Sequence, residues 1–441
     1  MPPPRALARP TLLEPVRSAP PPPRLRVARA GPRSPLHRSL RASTAEGIAA
    51  EVVGAATSTA VITAWALHLG CGAALIAVLG AMPFLAHVLQ LPAAVLTGRH
   101  GARRVALMAV AISRQAYLPL VALPFLPVSP GAARAALLGA AALHHGVGIF
   151  CNNGWVAWMG EIVPVRLRGR YFGRRTGTTT LAAALAGLAI GAVLDRSPGG
   201  RAATLSALAA VTCLAGAAST AIMARQHGGR APGGAGARPS LRAVLRVRGP
   251  RRWALLQATC GLASGLAVPF FGVFVLRDRA LGFAFLAAYG AIAAIARTVA
   301  APAWGRRMDR AGGARAVIVA GNALAVAGPI LWIASARAGA ALLLVEGALG
   351  GIAAAATGVA GLVFPLSLCD DATRPAHHAV FALSGGLAFG GGAAIGAALA
   401  AAAPEAVLAG PFAVPFAACA ALRAVAVILS RRLPEDRPAA R

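Results

Sequence analysis

The sequence predicts an all-α integral membrane protein with 12 transmembrane helices. Three observations lead there. First, 57% of the 441 residues are hydrophobic and only 13% are charged, with a mean hydropathy of +0.67. Soluble domains carry about 25% charged residues, and disordered chains are poorer still in apolar ones. Second, the apolar residues run in stretches of about 20, the length of helix that crosses a hydrocarbon core. Third, the basic residues divide unequally between the two sides those stretches define. All 43 are Arg; 34 fall on the side that carries both termini and 6 on the other. That asymmetry follows the positive-inside rule and places both termini in the cytoplasm. The expected location is a bacterial inner membrane.

The stretches are taken in order. They cover residues 47–69, 73–97, 104–127, 135–160, 172–194, 202–223, 253–276, 281–303, 314–335, 339–367, 378–400 and 406–430. Residues 1–45 hold 11 of the 32 prolines and nine arginines and read as a disordered cytoplasmic tail. No apolar stretch follows these charges directly, so a cleavable signal peptide is not expected. Residues 46–223 and 253–432 form two six-helix halves. A basic, glycine-containing linker, 224–252, joins them, and 433–441 is a second cytoplasmic tail.

Composition also excludes functions. The net charge of +30 suggests nucleic acid at first, but the arginines punctuate membrane spans, so they set topology and touch anionic lipid. Nucleic-acid binding is not expected. A phosphate-binding loop needs a Lys, and the chain has none, which argues against ATP hydrolysis. Neither a G-x-S-x-G nor an H-E-x-x-H pattern occurs, and no loop is long enough for a catalytic domain, so no enzyme is expected. The six Cys lie far apart and His144–His145 is too small a ligand set, so neither metal nor cofactor is expected.

The halves repeat. Gly98 and Gly305 open Gly/Arg loops 207 positions apart; Pro164 and Asp371 are 207 apart, and Arg168 and Arg374 are 206 apart. The later loop, Gly305-Arg306-Arg307-Met308-Asp309-Arg310-Ala311-Gly312 through Val317, resembles the signature loop of the major facilitator superfamily (MFS). Its first-half counterpart, with Gly98, Arg99, Gly101 and Arg103, is shorter and lacks the usual Asp. The stretch Trp155–Pro164 followed by Arg168-Gly169-Arg170-Tyr171-Phe172-Gly173 is similar to the connection between helices 4 and 5 in a group of bacterial members. The resemblance implies two pseudo-symmetric six-helix bundles, a central cavity and alternating access. It specifies no solute.

The resemblance also implies a cytoplasmic latch made from Glu161, Arg99, Arg168, Gly169, Arg306, Asp309 and Arg310, with Asp371 and Arg374 as weaker members. It further implies that spans 1, 4, 7 and 10 line the cavity. Those spans carry Glu51, Ser58 and Trp65, then His145, Asn152 and Trp155, then Gln257, then Glu346. Ionisable groups inside a membrane are expensive and usually face a partner or a cavity. Glu51, Glu346 and His145 are candidate proton carriers. Glu51 also reads as a helix-end acid held by Arg, Glu346 as a rim acid paired with Arg337 or water, and His145 as an interhelical hydrogen-bonding group. Arg114 reads as paired with an acid or, less favoured, as binding an anionic solute. Span 5 lacks the Gly-Pro pair of drug–proton antiporters, and the three tyrosines and six tryptophans argue against a sugar carrier. The expected partners are a small-molecule solute, lipid and protons, and the chain is expected to act as a monomer. A transporter-like sensor or scaffold without net flux is the alternative.

Overall fold

The computed structural model describes residues 34–196, 201–228, 241–310, 313–402 and 410–434. No strand occurs among them. Twelve helical segments are long and apolar enough to cross a membrane: α1 (Pro35–His68), α2 (Val78–His100), α3 (Ala102–Phe125), α4 (Pro130–Ile162), α5 (Val165–Leu194), α6 (Ala202–Ala224), α7 (Arg248–Leu276), α8 (Phe285–Met308), α9 (Gly313–Ala338), α10 (Ala341–Ser367), α11 (Arg374–Ala402) and α12 (Gly410–Arg431). Each half of the repeat supplies six.

Helix α1 begins inside the segment expected to be a tail. The Ser34 side chain accepts from the His37 N–H, and Pro35 occupies the first helical position. Both are helix-start signals. What makes this turn part of the bundle is a buried polar stripe at helical spacing: Ser39, Ser43 and Glu46. Residues 1–33, the remainder of the expected tail, lie outside the described residues, as do residues 435–441 and the middle of the expected linker. The linker's last residues are helical, because α7 starts at Arg248.

Two first-bundle helices are interrupted at mid-span. The helical run of α1 stops at Ala56 and resumes at Thr59, with Thr57 turning its hydroxyl back to the Val53 carbonyl. The run of α3 stops at Ser113 and resumes at Leu118. Pro119 accounts for that break, since its ring clashes with the carbonyl four residues earlier and it has no N–H to give.

The bundles meet most extensively along two helix pairs, α5 with α8 and α2 with α11. Exchanging the halves converts one pair into the other, as a pseudo-twofold axis requires. Along α5–α8 the approach is close enough to need glycine. A Cβ on Gly173 would lie 2.6 Å from the Ala301 carbonyl oxygen, and one on Gly177 would lie 2.8 Å from that of Thr298. Further along α5 the helices part: a Cβ on Gly187 or Gly191 meets nothing within 4 Å. The Gly-x-x-x-Gly spacing of Gly187 and Gly191 therefore makes no close helix contact. Along α11 the glycines divide. Gly392 and Gly396 pack against the backbone of α7, whereas Gly390 and Gly391 face open space. The close backbone contact along α5–α8 thus lies on the Arg-rich half of the pair.

Candidate functional site

The first bundle holds a cavity of about 350 Å³ at the level of the two helix breaks. Its floor is a buried charge cluster centred on Glu46 of α1. Oε1 accepts from Ser219 Oγ at 2.9 Å and pairs with Arg114 Nη2 at 2.9 Å; Oε2 lies 3.6 Å from Arg175 Nη2. The Arg175 guanidinium also sits 4.4 Å from the centre of the Trp155 ring and donates to the Ser43 carbonyl. Arg114 comes from the interrupted turn of α3, and its Nη1 is buried without a hydrogen-bond partner. His144 Nδ1 lies 3.0 Å from the Ser113 carbonyl at the same break. A second lobe of about 280 Å³ continues past Ser58 and His145 toward the open side.

The second bundle holds a larger cavity, of about 560 Å³. Arg423 of α12 reaches into it and donates from Nη2 to Ser264 Oγ at 2.7 Å. Gln257, Asn322 and Thr357 add neutral polar atoms. Phe84 of α2 stacks on Phe389 of α11 at 4.6 Å, so the wall of this cavity includes both bundles.

On the Arg-rich side, Asp309 closes the seam between the bundles. Its two oxygens accept from the backbone N–H groups of Gly169 and Arg170, at 2.7 and 2.8 Å. These are the first-turn donors of α5, which no intrahelical carbonyl can satisfy. Asp309 therefore caps a helix of the opposite bundle. Burial pushes its carboxyl above the ordinary carboxylate value, against the downward pull of the two N–H groups and of Arg170, 3.7 Å away. At the pseudo-symmetric seam, Arg374 of α11 pairs with Asp371 and donates to the Ala157 carbonyl, while Arg168 donates to the carbonyls of Gly160 and Val163. Arg168 thus caps the end of α4, where helix carbonyls lack partners, and Arg374 ties that helix to α11.

The sequence-derived residues separate into groups. Ser58, Arg114, His145, Asn152 and Trp155 line the first cavity or its lobe, and Gln257 lines the second. Glu51 sits between the bundles, with the Thr179 hydroxyl and the guanidinium groups of Arg175 and Arg297 around it. Two candidates do not face a cavity. Trp65 is 1% exposed in the first-bundle core, where a large ring finds more contacts than in the cleft. Glu346 is 3% exposed; it accepts from the Tyr289 hydroxyl at 2.7 Å and from Trp332 Nε1 at 2.8 Å, so its partners are neutral donors within its own bundle and not Arg337.

The latch also differs from its sequence reading. Arg306 and Arg310 are exposed, and the Asp309 contacts run to α5 instead. Arg103 donates to the Ala224 and Gln226 carbonyls and lies over Trp158, which ties it within its own bundle. Gly98 meets nothing within 4 Å, Arg99 is exposed, and Gly101 has φ 87° at the turn into α3. Glu161 is half-buried at the end of α4, Gly305 packs on the Gly169 backbone, and Gly312 lies outside the described residues.

Sequence reasoning missed Glu46, Arg175 and the role of Arg423 as a cavity wall. Arg175 lies near the Arg-rich end of its stretch, seven residues inside its helix. The signal for Glu46 was present in its spacing from Ser39 and Ser43.

No family model matches the sequence, and no curated protein is similar to it. Solved structures are. The human organic anion transporter MFSD10 superposes with a TM-score of 0.71 at 15% identity, covering 90% of this chain and 100% of that one. A bacterial homologue of the iron transporter ferroportin, in an outward-facing state, gives 0.72 at 12% identity over 89% and 98%. The proton:xylose symporter XylE of the major facilitator superfamily gives 0.71 at 10% identity over 91% and 97%. The chain carries the twelve-helix major facilitator fold.

Proposed function

We propose that the protein is a secondary transporter that moves a small solute across a bacterial inner membrane by alternating access of its two bundles, with both termini in the cytoplasm. The observation that supports this reading best is the uneven seam. Backbone-to-backbone packing along α5–α8 and the Asp309 cap hold the Arg-rich side shut, while the first-bundle cavity is continued by its second lobe toward the other side. With the Arg-rich side in the cytoplasm, this is an outward-facing arrangement. The proteins of like fold are transporters rather than enzymes, in keeping with this proposal.

Proton coupling belongs to the same proposal, and Glu51 is its carrier. It stands where Arg175 of its own bundle and Arg297 of the other both act on it, so rearrangement of the bundles changes the charge it feels. The test is a thermal-shift screen of the purified protein, followed by counterflow of each hit in proteoliposomes. A ligand at 100 times its Kd stabilises by about 2.7 kcal/mol. Saturable counterflow is expected, with Glu51→Gln retaining exchange and losing accumulation driven by a pH gradient. Binding without counterflow would support a sensor or scaffold. Unchanged pH-driven accumulation in Glu51→Gln would remove Glu51 from the coupling.

A further inference from the structure

Arg423, half-buried, differs from the other arginines that are drawn away from solvent. Arg114 and Arg175 share Glu46, Arg374 has Asp371, and Arg168, Arg134 and Arg279 cap backbone carbonyls. Arg423 has a hydroxyl, Ser264 Oγ. It does not bend toward the nearby Arg-rich end of α12, as a snorkelling side chain would. It points inward to Ser264, midway along α7. No Asp or Glu is among the described residues lining the cavity it enters. A guanidinium partly withdrawn from water without an anion is costly, and the arrangement persists where a counter-charge arrives or water fills the space.

The rest of the wall narrows what that counter-charge is. Trp253, Leu256, Ile318 and the Phe84–Phe389 stack make most of the surface apolar, and the neutral polar groups are spaced around it. A volume of about 560 Å³ lies within the range of small-molecule sites. One fixed positive charge against a broad apolar wall matches a singly charged anion with an apolar body; a multiply charged phosphate would leave charge uncompensated. We propose that the second-bundle cavity binds an amphipathic organic monoanion, its carboxylate on Arg423 and Ser264 and its body along Trp253 and the Phe84–Phe389 stack. This rests on the transporter reading and gives its solute class.

Because Phe84 belongs to the first bundle and Arg423 to the second, such a ligand touches both halves. It binds the arrangement in which they meet around it, which is how a solute shifts the equilibrium between facing states.

The test uses the full-length protein in detergent and a panel of aromatic and aliphatic monocarboxylates of four to twelve carbons. Each is paired with its neutral primary amide and its amine, and inorganic phosphate is added as a control. Binding is read by thermal shift and by quenching of tryptophan fluorescence. At least one carboxylate is expected to bind about tenfold or more tighter than its amide, the order of effect seen when one partner of a desolvated ion pair is removed. Amines and phosphate are expected to be weaker still. Arg423→Gln should abolish the preference for carboxylate over amide, and Arg423→Lys should keep most of it, which separates loss of charge from loss of fold. A preference that survives Arg423→Gln, amides or amines that bind as well as carboxylates, or no binding across the panel would overturn the proposal. Counterflow distinguishes the two layers. Transport of a neutral or cationic hit keeps the transporter reading and discards the anion site. An Arg423-dependent carboxylate that binds without counterflow does the reverse.

Discussion

Replacing Gly173 by Ala tests the seam on which the functional reading rests. Within a helix the change favours folding, since Ala exceeds Gly in helix propensity by about 1 kcal/mol. Any opposite effect must come from what the new methyl meets. Its Cβ would stand 2.6 Å from the Ala301 carbonyl oxygen and 2.9 Å from the Gly305 Cα, where ordinary contact begins at 3.4 Å. The helices must therefore back away by about 0.8 Å, and the obstruction is backbone, which no rotamer change relieves. Overpacking of this kind costs about 1–3 kcal/mol. The cost falls only on the arrangement in which α5 and α8 touch, so the ratio of closed to open Arg-rich side falls roughly 5- to 150-fold.

Pulsed electron–electron distance measurements read that ratio directly. Labels at the exposed positions Arg166 and Arg310, introduced through non-canonical residues so that the native cysteines stay, sit on opposite sides of the seam. The parent protein should give a short, dominant distance; Gly173→Ala should move population to longer ones. Gly187→Ala is the control. It lies in the same helix and gains the same propensity, but its Cβ meets nothing within 4 Å. If Gly173→Ala kept the parent distribution, or Gly187→Ala opened the seam equally, the steric account of closure would be wrong.

Other outcomes follow from the same geometry. Burial raises the Asp309 carboxyl above its ordinary value in the closed arrangement. The closed form therefore binds the proton more tightly than an open form in which Asp309 is in water. The sign is that acidification through this raised value favours closure and a return to neutral pH releases it; the same labels, titrated from pH 7.5 to 4.5, should show it, and Asp309→Asn should flatten the response. Glu46→Gln breaks a buried pair and leaves Arg114 and Arg175 short of a counter-charge, a loss of about 3–5 kcal/mol that should appear as a lower unfolding temperature. Glu346→Gln should cost much less, about 1 kcal/mol, because an amide oxygen can still accept from Tyr289 or Trp332. Equal destabilisation by the two variants would contradict the difference drawn between them.

Hydropathy and charge made the helices legible because a membrane span is a one-dimensional property: length and apolarity suffice. The places where the reading slipped are those where one dimension is not enough. Helix α1 begins at Pro35, and Glu46, just before the greasy stretch, turns inward because Arg114 and Arg175 from two other helices meet it there. Neither partner is near Glu46 in sequence, so a window average counts each as a loop charge or an isolated expense. Trp65 and Glu346 slipped the other way. Their spacing placed them on plausible helix faces, but which face points at the cleft depends on the rotation of each helix, and that is set by neighbours such as Tyr289 and Trp332. The loop motif was legible in part. Asp309 stands out as one of only 13 acids, while its partners, the Gly169 and Arg170 N–H groups, are backbone atoms that no residue type announces. Arg423 shows the same limit in reverse: its charge is plain in the sequence, but the meaning of that charge comes from the carboxylate missing among the described residues around it. Scarcity of acids is what ties these cases together. With 43 arginines against 13 acids, the described arginines drawn away from solvent meet a carboxylate, meet backbone carbonyls, or, as half-buried Arg423 does, face a cavity; the last situation is the one that a solute can complete.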